Sequence, residues 1–283
     1  MWSHRNSKSC IVKIFRLEQH SDSVFLYKNT LKLVNMGEIR VGRCLYNNGK
    51  RYDPIYPDFT PIIVLTKSSK YGSLGSYVLK DKRGRIFENI WQANKVYESV
   101  PATTQTYSRY DTTIIWQHPS EQHVDITEDS YHLKNAYFAW RDKLMFCSYP
   151  VRYPVGYEHR HKCLFALAED DKGDIDYTPL DYIEARKKIY YSLYINLVKK
   201  EKQFKQLQQR LSDGENLLII EVDGPHEESL EYYKTKYQVS DNFIENNTLL
   251  ATKENLNIML NDTEHPFGHG YCLAAALQKI DLI

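Results

Sequence analysis

The chain has 283 residues, enough for one large domain or two smaller ones and for a full hydrophobic core. Hydrophobic residues make up 42%, charged residues 26%, and the formal net charge is +1, the balance of an ordinary globular protein. That charge excludes a global attraction to nucleic acid or to an anionic membrane surface, and no apolar run approaches the roughly 18 residues of a membrane span.

The opening "MWSHRNSKSCIVKIFRLEQHSDS" turns charged too soon for a secretory leader. The five cysteines are scattered, with no CxxC pair, which fits reduced thiols and a cytoplasmic location better than a disulfide framework or a zinc knuckle. Residues 1–66 read as short extended pieces. In "IRVGRCLYNNGKRY", Asn47-Asn48-Gly49 predicts a hairpin, and "PIIVLTKS" predicts a short buried strand. "YGSLGSYVLKDKRGRI" predicts a glycine turn, a strand and a second turn at Lys82–Gly84.

The helix predicted next, "FENIWQANKVY", carries the most information. At about 100° per residue, Glu88, Gln92 and Lys95 fall within roughly 40° of one another with Trp91 beside them, while Ile90, Ala93 and Tyr97 take the other side. Either the polar stripe faces solvent with i,i+4 pairing, or it faces a ligand, which an exposed indole beside a carboxylate favours.

Residues 102–180 are rich in Tyr, His and Pro and poorly periodic, so loops, short helices and substrate contacts are expected there. His118, Glu121, His123 and Asp125 form a loose H-x-x-E-x-H set, without the i,i+4 histidine pair of a zinc-protease helix. Metal binding, substrate binding and a structural role all remain open for it. "GYEHRHKC" reads as a solvated loop or, through Arg160, a phosphate contact. Trp140 beside Arg141 suits a nucleotide base or the core equally. One long helix is predicted over 178–214, capped by Asp181 or Thr178 and ended by Gly214, with Ile183, Ile189, Leu193, Leu197, Phe204, Leu207 and Leu211 inward. "NLLIIEVDGP" then predicts a buried strand. "PFGHGYC" leads into a last amphipathic helix; its glycine-rich start either holds a phosphate on backbone N–H groups, with His269 adding a charge or proton, or is a turn that merely needs glycine.

The order of these motifs resembles the NADAR family. Glu88-Asn89-Ile90-Trp91-Gln92-Ala93-Asn94-Lys95 is similar to its signature helix, Glu-His-x-Tyr/Phe-Gln-Ala-x-Lys, with Asn89 at the histidine. "YGSLGSYVL" stands where the family has a Leu-Ser-Asn-aromatic turn and keeps Ser73. "EARKKIYYSLYINLVKK" resembles the second helix, "LLIIEVD" the Leu-Val-Glu strand with Glu221 at the glutamate, and "HPFGHGYCLAAALQ" the closing segment, with Phe267 for Trp and Ala274 for Gly. The match spans roughly residues 70–100 and 180–280.

The resemblance implies an α+β, mainly helical single domain over 1–283 with small sheet elements, carrying segment 1–66 and insertion 102–180 as embellishments. It implies a hydrolase that cleaves an N-glycosidic bond in a phosphate-bearing, nucleotide-like substrate, of the ADP-ribosylated guanine or ribosylamino-pyrimidine type, free or attached to nucleic acid. Glu88 and Glu221 would be the catalytic carboxylates. Ser73, Trp91, Gln92, Lys95, Arg141, Arg186, Phe267, Gly268, His269 and Gly270 would bind substrate, with no metal or cofactor. The Glu88 stripe and the 266–272 turn are expected to share a site. The alternatives are a non-catalytic ADP-ribose or nucleotide-binding module of the same fold, and a metal-dependent hydrolase built on residues 118–125.

Overall fold

The computed structural model describes residues 36–100, 121–128, 130–155 and 157–283, which belong to one compact unit of mixed α and β structure. In chain order the elements are β1 (Ile39–Arg43), β2 (Leu45–Asn47), β3 (Lys50–Tyr52), β4 (Thr60–Ile63), α1 (Phe87–Ala93), β5 (Lys95–Tyr97), β6 (Ser99–Val100), β7 (Glu121–Gln122), β8 (Val124–Ile126), β9 (Tyr131–Leu133), α2 (Asn135–Met145), β10 (Cys163–Ala166), α3 (Tyr182–Ala185), α4 (Ser192–Val198), α5 (Lys202–Ser212), β11 (Leu217–Glu221), α6 (Leu230–Tyr237), β12 (Thr248–Leu250), α7 (Lys253–Asn261) and α8 (His269–Gln278). Among the described residues, no helix is long and apolar enough to cross a membrane.

The principal sheet has the order β12-β1-β11-β4. Strand β11 lies parallel to both β1 and β4, and β12 closes the β1 edge antiparallel. All five residues of β11 are buried, as a strand covered on both faces requires. Leu217 and Ile219 join the main helix-covered core; Leu218 and Ile220 pack with Cys44 on the other face. The side-chain period of two therefore turns Glu221, the last residue of β11, to the helix face at the carboxyl end of three parallel strands. In open α/β sheets that end is where ligands bind.

Strands β1 and β4 supply half of this sheet, so these parts of segment 1–66 belong to the core and not to an embellishment, whereas β2 and β3 are exposed. The Asn47-Asn48-Gly49 hairpin forms as β2 and β3, with Asn48 and Gly49 at φ 49° and 77°, the left-handed pair a tight primed turn needs. The strand expected after Gly75 does not form; only a bridge from Lys80 to Ile86 remains.

The expected long helix is divided. Residues Arg186–Tyr191 wind as a π-helix between α3 and α4, and the backbone turns extended at Glu201 before α5. Asp181 caps α3 by accepting the Glu184 N–H, and Gly214 follows α5 at φ 91°. Insertion 102–180 also contributes to a second core: its α2 and β10 pack with β5, burying Val96, Tyr97, Tyr137, Trp140 and Leu144.

Candidate functional site

Helix α1 has seven residues and all are buried, because it lies between two cores. Phe87 and Trp91 pack into the main core, Ile90 and Ala93 into that of the insertion. The stripe at 88, 91, 92 and 95 is thus not a solvated face. Glu88 is 7% exposed. Gln92, one turn on, donates its amide to Glu88 Oε1 at 2.7 Å and accepts from Lys95 Nζ at 2.9 Å. Lysine only donates and a carboxylate only accepts, so this relay needs an amide at 92. The helix stops at Ala93 and Lys95 opens β5, yet its ammonium still lies 4.7 Å over the Trp91 ring. Burial raises the Glu88 carboxyl above its usual range, against the bond from Gln92 and the charge of Lys95. Burial likewise lowers Lys95.

Asn89, fully buried, anchors the loop after α2. Its amide donates to the Cys147 and Tyr149 carbonyls, both at 3.0 Å, and its Oδ1 accepts the Val151 N–H at 2.7 Å. That fixes the next residue, Arg152, whose guanidinium stands 3.6 Å from Asp223 and 4.9 Å over the Tyr153 ring. Asp223 lies two residues past Glu221. Tyr77 is within electrostatic reach of Arg152, Glu88 and Asp223.

Glu221 is 1% exposed and seals the start of α8. Its Oε1 accepts the Gly270 N–H at 2.9 Å, and its Oε2 lies 3.2 Å from His269 Nδ1. His269 Nε2 lies 3.2 Å from the Val64 carbonyl, which can only accept, so Nε2 carries hydrogen. Burial raises the Glu221 carboxyl well above its usual range and lowers His269. A Cβ on Gly268 would fall 2.2 Å from Glu221 Oε2, and one on Gly270 2.6 Å from Oε1. The glycines are therefore needed for the carboxyl group, and the helix start expected to cradle a phosphate is filled by Glu221 itself.

Among the described residues no hydrogen bond or ion pair joins the Glu88 stripe to the start of α8; buried aromatic rings of the main core connect the two. Tyr190 meets Trp91 and Phe87 edge-on at 5.3 and 4.9 Å, and both Glu88 and Glu221 raise its hydroxyl further than burial already does. Tyr194 links Phe87, at 5.6 Å, to His269, at 6.0 Å.

No family model, curated protein or solved structure matches the chain.

Four residues expected to bind substrate are engaged elsewhere. Trp91, expected as an exposed indole, is 8% exposed and held between Tyr190 and Lys95. The guanidinium of Arg186 donates to the carbonyls of Met259, Leu260, Asp262 and His265, closing the carboxyl end of α7. Arg141 donates to Asn94 and Glu169, and Glu169 also binds Arg85. Phe267 stacks on Tyr271 at 5.1 Å inside the core. Ser73 sits in the turn before α1 with a buried hydroxyl that has no partner among the described residues.

Trp140 and His123 pack together at 4.7 Å, and burial pushes His123 down to about 4. His118 lies outside the described residues, among which no group of three or more His, Cys, Asp or Glu side chains is placed to hold a metal ion. A groove of about 340 Å3 between α5 and the far end of α8 includes Lys205, Gln208 and Lys279 in its lining but no carboxylate, and is not the site.

Sequence reasoning missed Arg152, Asp223 and Tyr190. Arg152 lies in an aperiodic segment, and Tyr190 reads as one more apolar helical position. Asp223 had a signal, since it follows Glu221 just past the end of a buried strand.

Proposed function

We propose that the protein hydrolyses an N-glycosidic bond in a phosphate-bearing, nucleotide-like substrate, with Glu88 as the carboxylate at the reacting carbon. The observation that supports this reading is the Lys95–Gln92–Glu88 relay, which holds one buried carboxyl group in a fixed orientation. Breaking the bond sends its electron pair to the departing base and leaves positive charge on the sugar. A pre-oriented carboxylate stabilises that charge and takes a proton from the attacking water, whose oxygen forms the new bond to the anomeric carbon. Desolvation strengthens the interaction and raises the basicity of Glu88. Gln92 and Lys95 position Glu88, and Glu221 positions the start of α8. The unpaired cysteines Cys44, Cys147, Cys163 and Cys272 support a reducing compartment.

A second reading, a binding module for ADP-ribose or a related nucleotide, draws support from the deep burial of Glu88 and from Asn89 at the family's histidine. Incubation with NAD, ADP-ribosyl-guanine and ribosylamino-pyrimidine substrates, followed by mass spectrometry, separates the two. Release of free base, lowered by two or more orders of magnitude in Glu88→Gln, is expected for such a group. Binding without release selects the module. Unchanged turnover in folded Glu88→Gln removes Glu88 from the mechanism.

A further inference from the structure

We propose that Arg152 is the contact that selects for the phosphate of the substrate, delivered to the Glu88 site by Asn89 and held at rest by Asp223. The inference rests on the reading of the site as one for a phosphate-bearing nucleotide. Such a ligand needs a cation or a cluster of backbone donors near the reacting carbon. The obvious donors, at the start of α8, are taken by Glu221. The obvious cation, Lys95, is tied to Gln92 and Trp91 and orients the carboxylate.

Arg152 has the features those two lack. It is half-buried, so its charge is only partly screened by water. Its loop is fixed by three hydrogen bonds to Asn89, the residue next to Glu88, so the guanidinium is tied to the same helix as the reacting group. Its carboxylate partner, Asp223, stands 3.6 Å away, beyond hydrogen-bonding distance, on a side chain 44% exposed. A phosphate can replace that loose pair with two parallel, charge-assisted bonds to the fork of the guanidinium. Asp223 keeps Arg152 compensated when no ligand is bound and competes with the ligand for it.

Titration calorimetry on the full chain with ADP-ribose, inorganic pyrophosphate and adenosine tests this without requiring turnover. Arg152→Gln should weaken ADP-ribose about tenfold to a hundredfold, the range of charge-assisted hydrogen bonds, and leave adenosine within twofold. Arg152→Lys should fall between, because the ammonium keeps the charge and loses the fork. Asp223→Asn should tighten ADP-ribose and pyrophosphate. Asn89→Ala, which leaves Arg152 in the chain but frees its loop, should reproduce part of the loss. Wild-type binding of ADP-ribose that Arg152→Gln does not change overturns the proposal and leaves the functional reading standing. Equal weakening of adenosine shows a merely structural role and also overturns it. Absence of any binding of ADP-ribose and pyrophosphate to the wild type at millimolar concentration overturns the phosphate-bearing substrate and this proposal together.

Discussion

Gly268→Ala isolates the contact between β11 and α8. Gly268 has φ −81° and ψ 173°, a conformation open to any residue, so alanine meets no backbone penalty there. The whole effect is steric. The new Cβ would stand 2.2 Å from Glu221 Oε2 and 2.5 Å from its Cδ, about 1 Å inside ordinary van der Waals contact, which begins near 3.4 Å. Glu221 cannot swing aside without leaving Gly270 and His269 and entering the packed core. Overpacking of this kind costs about 1–3 kcal/mol, and loss of the Gly270 bond about 1 kcal/mol more. A destabilisation of about 2–4 kcal/mol follows, or roughly 4–8 °C in Tm for a chain of this size. Urea unfolding followed by circular dichroism should show a lower midpoint at unchanged slope. In a Glu221→Ala background the obstructing carboxyl is gone, so the same substitution should cost less than about 0.5 kcal/mol, a coupling of at least about 1.5 kcal/mol. Gly268→Ala within 0.5 kcal/mol of wild type, or an equal cost in both backgrounds, would refute the steric account.

Glu88→Gln should raise stability at pH 8, with the gain shrinking as pH falls. The folded carboxyl is raised above its unfolded value, so wild-type stability is fully present below about pH 4.3 and declines as pH climbs through the raised value, whereas glutamine has no charge to bury. Thermal unfolding between pH 4 and 8 reads the difference, and a constant gap across that range would contradict it. Arg186→Met should destabilise by about 3 kcal/mol or more, since four carbonyls at the end of α7 lose their donor. Arg186→Lys should restore only part of this, and a neutral Arg186→Met in a denaturant titration would count against the assignment.

Much of the main core was legible in the sequence because its periodicity is clean. Leu217–Glu221, the Asn48-Gly49 hairpin, the Asp181 cap, Gly214 and the last helix all follow from local chemistry. Ile90 and Ala93 share one core, as their helical spacing suggested, whereas Tyr97 reaches it from strand β5 and not from the longer helix expected. Relations between distant segments were not legible. Nothing local shows that Glu221 would turn onto the start of α8 and make Gly268 and Gly270 a steric requirement, because the partner lies 49 residues away from Gly270. The division of the predicted long helix by a π-helical turn has no compositional mark either. Arg141 and Arg186 looked like ligand contacts because a buried arginine bound to carbonyls or glutamate has the same sequence appearance as one awaiting a phosphate.

The position of Asn89 has a consequence for order. The loop at 147–151 is fastened to α1 by the side chain of Asn89, the neighbour of the buried Glu88. At roughly 1 kcal/mol net for each of its three bonds, releasing the loop requires about 3 kcal/mol, so only on the order of one molecule in a hundred has it undone at a given moment. A ligand that needs this loop in place meets it already ordered and does not bear the cost of ordering it. One buried amide thus acts as a latch that keeps Arg152 beside α1 in nearly every molecule.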